Sequence, residues 1–416
     1  MKQAPTRSRA SREVLSGNQE KAESMSEAAY VLKPDKGFAE EIIKGGGDTL
    51  KQCYQCATCS VKCELSPDDR PFPRKEMIWA QWGLKDKLVG NPDVWLCHRC
   101  GDCSEHCPRG AKPGDVLAAV RDFTIKHYAF PGFMGTALAK PSLLSIMMII
   151  PAILMLIVLN IFGGHGHGGE HVEMARQFGV LPVPVLDHVD YGTFFPHIPL
   201  QVFFAGFALL AVIGAAVGVR RFWSDMCKAS PGANGGGSVA SAMVGAIKDI
   251  LGHSKFRSCT YNKNRFLSHL LTFWGMAGLF IVTTGVVVAA YVFDHYPLPL
   301  WDPLKILGNV SALAMLIGLG WIILERAGKD RSKEGSTGKD WNFILVLLAV
   351  VVTGVITEIL RFANAPGPAY PVYFIHLVTV FTLLMYFPYS RFAHMVYRTV
   401  ALVYARYSGR RIGTRQ

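Results

Sequence analysis

The sequence predicts an all-α fold in two unequal parts, a small cysteine-rich helical head followed by a bundle of six transmembrane helices. Three observations predict it. Eight of the ten cysteines sit in two tight runs within the first 130 residues. From Ser142 onward apolar runs dominate, six of them long enough to cross about 30 Å of hydrocarbon. Between those runs, lysine and arginine alternate between crowded and nearly empty segments. A formal charge of +12 on 416 residues would otherwise suggest nucleic acid. Here the basic residues crowd beside apolar spans, so the charge is read as membrane topology and no nucleic-acid partner is expected.

Residues 1–44 are read as a flexible segment. The opening stretch MKQAPTRSRASREVLSGNQEKAE is polar, lacks the apolar core of a secretory signal and buries little, so it is expected to be mobile to about Tyr30. The cysteines that follow are then expected in the reducing cytoplasm, where closely spaced thiols bind metal more often than they pair.

The head, residues 45–130, is built on Cys53-Tyr-Gln-Cys56-Ala-Thr-Cys59-Ser-Val-Lys-Cys63 and Cys97-His-Arg-Cys100-Gly-Asp-Cys103-Ser-Glu-His-Cys107. Both runs have the C-x2-C-x2-C-x3-C spacing of bacterial two-cluster ferredoxins. Three thiolates so spaced wrap one corner of an iron–sulfur cube, and the fourth points away to the other cube. Two [4Fe–4S] clusters are therefore expected, the first on Cys53, Cys56, Cys59 and Cys107, the second on Cys97, Cys100, Cys103 and Cys63. Zinc sites use Cys-x2-Cys pairs and do not need two four-cysteine runs. Between the runs, Met77, Ile78, Gln81 and Leu84 stand at helical spacing, and Pro113 to Phe123 again reads as helix. The clusters are expected on helices, not strands.

The membrane part, residues 142–400, has spans expected at Leu143–Phe162, Ile198–Val219, Phe266–Phe293, Leu304–Leu324, Asn342–Leu360 and Pro371–Ser390. Arg220–Arg265, Arg326–Lys339 and Arg391–Gln416 carry 8, 5 and 6 lysines and arginines, whereas the three opposite segments carry only Arg176. The crowded set belongs on the cytoplasmic side, together with the head and a basic tail over residues 401–416. This places the chain as a multi-pass protein of the inner (cytoplasmic) membrane, in contact with lipid. Val239, Ala242, Met243, Ala246, Ile247, Ile250 and Leu251 form one face of an amphipathic helix expected on the membrane surface or against a partner. Cys227 and Cys259 have no neighbours at ligand spacing and read as ordinary thiols; His165, His167 and His171 read as part of a flexible polar loop.

Histidines inside a bilayer point to function. His376 and His394 lie 18 residues apart, five helical turns, which on one continuous helix sets two imidazoles on one face about 27 Å apart. That suits two haems stacked across the membrane. His269 opens the third span level with His394 and is paired with it for the inner haem. For the outer haem, His376 is given His197 as partner, with His295 as the alternative.

These motifs resemble known families. CYQCATCSVKC, the helical spacer and WLCHRCGDCSEHCPRG look like the C subunit of heterodisulfide reductases, which implies an α-helical ferredoxin that relays electrons. The segment from His376 to His394, with Phe266-Leu-Ser-His269, resembles the gamma subunit of nitrate reductases and the E subunit of heterodisulfide reductases, implying b-type haem. That family has a second histidine about ten residues after the first, where this chain has Leu279. The fusion of both halves resembles the C subunits of quinone-interacting membrane-bound oxidoreductases. It implies menaquinol as membrane donor and soluble flavin and iron–sulfur subunits as partners, in adenylylsulfate reduction within dissimilatory sulfate metabolism. Glu358 and Arg361, three residues apart near the outer end of the fifth span, are then candidates for a quinone site. Two alternatives stand beside this reading: the equivalent subunit of a heterodisulfide reductase-like or sulfite-reduction complex, and a ferredoxin-bearing anchor without redox-active haem. The chain has no Cys-Cys pair, so any disulfide chemistry would lie in partners.

Overall fold

A computed structural model describes residues 32–68, 70–165, 171–229, 238–253, 256, 259, 265–293, 298–328 and 335–410. The head begins earlier than expected. Lys36–Lys44, read from sequence as flexible, forms helix α1, with Asp35 Oδ1 accepting from the Phe38 amide at 2.9 Å as its cap. Phe38 and Ile42 are buried, and Phe38 meets Phe123 edge to face at 4.8 Å. That apolar pair offsets the ordering cost and explains why so polar a segment is helical. Residues 1–31 lie outside the described residues.

Short helices α2 (Thr58–Lys62), α3 (Arg74–Gln81), α4 (Lys85–Val89), α5 (Asp93–Leu96) and α6 (Asp102–Glu105) surround the longer α7 (Pro113–Tyr128). Val116, Leu117 and Val120 of α7 share one core with Met77, Leu88, Val94 and Trp95. The two cysteine runs repeat one backbone trajectory. Gln55 and Arg99 take positive φ two residues after the first cysteine of each run, and Ala57 and Gly101 do so two residues later. Non-glycine residues held there cost of order 1 kcal/mol, a strain that collects at ligand sites.

Beyond the head come α8 (Gly132–Ala139), α9 (Pro141–Phe162), α10 (Tyr191–Phe194), α11 (His197–Ala229), α12 (Val239–Gly252), α13 (Arg265–Val292), α14 (Pro303–Gly328), α15 (Gly338–Phe362), α16 (Pro366–Met385) and α17 (His394–Tyr407). Among the described residues, α11, α13, α14, α15 and α16 are long and apolar enough to cross a membrane, and Ile146–Phe162 within α9 is a shorter apolar helix. Large apolar side chains such as Val202, Phe280 and Leu324 face outward, as they do on helices able to cross a membrane. Helices α13 and α14 approach closely because Gly275, Gly278 and Gly318 face Ser311, Met315 and Thr272; a Cβ at Gly318 would stand 2.8 Å from the Thr272 nitrogen. Helix α16 packs on α11 through Phe381 against Phe203 and Phe207, each at 4.8 Å between ring centroids.

Four further expectations are corrected. The fold is not purely α: Met174–Gln177 (β1) and Leu181–Pro184 (β2) form an antiparallel hairpin. In the loop expected to be flexible, His165 and His171 form a β-bridge with rings 4.6 Å apart; His167 lies outside the described residues. His376 and His394 are not on one helix. Pro388 lacks the amide that would continue the ladder, so α16 ends at Met385 and two 3-10 turns, Phe387–Tyr389 and Arg391–Ala393, lead into α17. Finally, the amphipathic helix packs on the chain itself, as do residues 401–410 of the tail. Ala242 and Ala246 of α12 lie against Leu402 and Ala405 of α17, and Arg410 pairs with Asp93 of the head and donates to the Arg70 carbonyl at 3.2 Å.

Candidate electron-transfer site

The trajectory repeated in the two cysteine runs gathers the thiols into two groups. Cys59 has Cys53, Cys107 and Cys56 as its electrostatic neighbours, whereas Cys63 and Cys103 have Cys97 and Cys100. The last cysteine of each run thus stands with the other run. Burial, and next the charge of Cys53, pushes the Cys59 thiol up to about 11; burial and then Cys97 push Cys63 and Cys103 up as well. Thiols pushed up by burial and by one another favour a cationic centre that takes them as thiolates, which is what iron supplies.

The groups differ in surroundings. The first faces outward: Cys56 is exposed, and Tyr54 beside it is 68% exposed under the Arg109 guanidinium at 4.2 Å. The second is covered by the membrane part. The Cys97 carbonyl accepts from Arg121 at 2.6 Å and from Arg398 of α17 at 3.3 Å, and the Arg99 carbonyl accepts from Arg265 of α13 at 2.6 Å. The Arg99 amide donates to Cys97 Sγ at 3.3 Å.

Next to the second group lies a cavity of about 120 Å³ lined by His98, His253, His269 and His394, with Phe256, Phe273 and Arg398. The structure therefore brings His269 and His394 to one site, as their level in the sequence implied. It adds His98, which lines both this cavity and the cysteine pocket beside it. His394 Nδ1 donates to the Arg391 carbonyl at 2.6 Å, and His269 Nδ1 meets His253 Nε2 at 3.1 Å. Both arrangements leave Nε2 of the two imidazoles for the cavity. Burial holds the His394 imidazole down at about 4, against the pull of the Arg391 carbonyl, so it is neutral and able to ligate at neutral pH.

His376 repeats the pattern within α16. Its Nδ1 donates to the Val350 carbonyl at 3.1 Å and lies 3.1 Å from Thr353 Oγ1; a Cβ at Gly354 would stand 3.0 Å from its ring. The imidazole thus faces α15. Phe381, which faces α11, is five residues on and about 140° around the helix. His197, at the start of α11, accordingly stands on a different side of α16 from the His376 ring, and His295 lies outside the described residues. Glu358 bonds Lys305 at 3.1 Å and accepts from Asn309 at 3.4 Å, so its close charged partner is on α14, not Arg361.

A second cavity, of about 80 Å³, opens where α7, α8, α15 and α16 meet. Ile125, Leu138, Val346 and Leu383 line it with Asp122, Lys339 and Asn342. Phe343 joins it to the histidines, its ring 6.5 Å from that of His394.

Residues 49–111 match the model of the 4Fe-4S dicluster domain, and residues 147–415, more than half the chain, match that of citrate utilization protein B. The chain belongs to the citrate utilization protein B family. It is 28% identical over 382 residues to citrate utilization protein B of Escherichia coli, covering 85% of this chain and 89% of that protein. The head is 40% identical over 106 residues to the C subunit of the H2:CoB-CoM heterodisulfide, ferredoxin reductase of Methanothermobacter marburgensis, 25% of this chain and 54% of that protein. A protein of Archaeoglobus profundus that is like the heterodisulfide reductase C subunit is 35% identical over 96 residues, 23% of this chain and 51% of that protein. The chain spans about half the length of these two relatives of its head. No solved structure matches it. This family member therefore joins a 4Fe-4S ferredoxin head, like the C subunits of heterodisulfide reductases, to a helical region like citrate utilization protein B. Its relatives point to electron transfer within an oxidoreductase complex.

Sequence reading does not find His98, His253, Phe256 or Cys259 as site residues. His98 sits inside the second cysteine run, and its place there is a usable signal. The other three stand just beyond the end of α12 and before α13, and nothing in their spacing marks them.

Proposed function

We propose that the chain carries electrons between a membrane quinone and soluble partner subunits, through b-type haem held by histidine and two [4Fe–4S] clusters held by cysteine. The observation that carries this is His98, which lines both the cysteine pocket and the histidine cavity and so makes one continuous path. Cys53, Cys56, Cys59 and Cys107 hold the first cluster, and Cys63, Cys97, Cys100 and Cys103 the second. His269 and His394 hold the inner haem, with Arg391 and His253 fixing their Nδ1 atoms so that Nε2 is presented. His376, fixed in the same way by Val350, holds the outer haem; His197, on a different side of α16, does not fit as its second ligand. When bound, these groups supply one-electron steps, which is how a two-electron quinol is coupled to iron–sulfur partners.

The membrane carrier is read as menaquinol. The cavity beside Phe343 supports a quinone-ring site better than Glu358 does, because it sets an apolar wall of Ile125, Leu138, Val346 and Leu383 against polar and charged groups and adjoins His394. Asp122 stands there between Arg391 at 3.1 Å and Lys339 at 3.8 Å, and burial raises its pKa against the pull of these cations. The resemblance to quinone-interacting oxidoreductases supports flavin and iron–sulfur partners and adenylylsulfate reduction. A second reading, favoured by a likeness that runs over 85% of the chain, puts the same relay in citrate utilization. Head and C-terminus are assigned to the cytoplasm on the charge pattern.

The test is anaerobic purification of the full chain. The expected result is about eight non-haem irons with matching sulfide and b-type bands in the reduced-minus-oxidised spectrum. His269→Ala and His394→Ala should each remove the same haem. Zinc in place of iron, no haem bands, or two different haems lost would overturn the corresponding assignment.

A further inference from the structure

The second cysteine pocket holds a fifth thiol. Cys259 stands between α12 and α13 and belongs to neither cysteine run, yet it is buried in the same pocket as Cys63, Cys97, Cys100 and Cys103. Its sulfur, the Cys100 sulfur and a carboxylate oxygen of Asp102 all lie within 4.8 Å of one another. Cys100 Sγ donates to Asp102 Oδ2 at 3.4 Å.

The turn that carries Cys259 is itself seated. The Cys259 amide donates to the Phe256 carbonyl at 3.5 Å, and the Phe256 ring lies 4.7 Å from His98 and 5.3 Å from His269. Phe256 therefore touches the histidine cavity with its ring, and Cys259 touches the cysteine pocket with its thiol. A cube offers four iron corners, each held by one thiolate. Five thiols in one pocket exceed that number by one, and the surplus thiol stands beside Cys100.

We propose that Cys259 is an alternative ligand of the second cluster, exchanging with Cys100 at one iron. This rests on the cluster reading above. The exchange balances without any change of oxidation state. The Cys100–iron bond breaks and the Cys259–iron bond forms, while the proton leaving the Cys259 thiol is taken up by the released Cys100 thiolate. In one ligation state the cluster is held by the head alone. In the other it also tethers the segment joining α12 to α13, so cluster assembly locks the head onto the membrane part.

The test compares full-length wild type, Cys100→Ala, Cys259→Ala and the double variant, purified without oxygen. Non-haem iron, sulfide and the EPR spectrum of the dithionite-reduced protein are measured. Both single variants should keep about eight irons, with the signal of one cluster altered in Cys100→Ala, and the double variant should fall to about four. Loss of about four irons in Cys100→Ala alone would overturn the proposal, as would retention of about eight in the double variant. Wild type without iron and sulfide would instead sink the cluster reading, which separates the two failures.

Discussion

Glu76 is a buried acid beside another buried acid, Asp93. Lys75 lies 2.7 Å from Asp93 and 3.6 Å from Glu76, and Arg410 also pairs with Asp93, so the stronger cation contacts go to Asp93. Burial first, and then the charge of Asp93, raises Glu76 from 4.5 to about 8. The folded head thus holds a proton that the unfolded chain has lost, and its stability falls as pH rises from about 4.5 to about 8. Urea unfolding of the full chain in detergent, followed by tryptophan fluorescence, should show that slope, and Glu76→Gln should flatten it. A slope of the opposite sign, or one untouched by the substitution, would contradict the assignment. At this scale the gathering of the cysteines into two groups is legible, because both runs carry the same spacing along the chain. His98 carries a signal in its place inside the second run, whereas His253 and Cys259 carry none, because nothing in their spacing marks them.

Arg99 stands on the second cysteine run and joins it to two helices. It bonds Asp115 of α7 at 2.8 Å, Asp340 in the first turn of α15 at 3.2 Å, and the Gly335 carbonyl at 2.6 Å. Asp340 also meets Arg391 at 3.2 Å and completes a capping box with Thr337. Arg99→Ala would leave two buried carboxylates short of a cation and should cost about 3–5 kcal/mol. Limited proteolysis and thermal unfolding of the full chain should show a loosened head; unchanged stability would mean that Arg391 and Arg326 suffice for Asp340. Element positions are largely legible, since length and apolarity mark the helices of the membrane part. The break after Met385 is not, because the 18-residue interval between His376 and His394 fits a continuous helix so well that it masks the effect of Pro388.

Across the whole molecule, the two thiol groups face different ways. The exposed first group suits a soluble partner, while the second is wrapped by Arg121, Arg265 and Arg398 and adjoins the histidine cavity. Positive charge and an amide directed at Cys97 Sγ favour the reduced form, so the second cluster should be the one that takes electrons from the membrane side. The division into head and membrane part is legible from composition. The docking between them is not, because it rests on ion pairs and on the return of α17 to the head. The most direct measurement is anaerobic stopped-flow of wild type and His394→Ala in liposomes, mixed with a short-chain menaquinol and followed at the haem and cluster bands. In wild type, haem reduction should precede cluster bleaching. In the variant, quinol should no longer bleach the clusters, while dithionite still does. Cluster bleaching by quinol at the wild-type rate in His394→Ala would contradict the path.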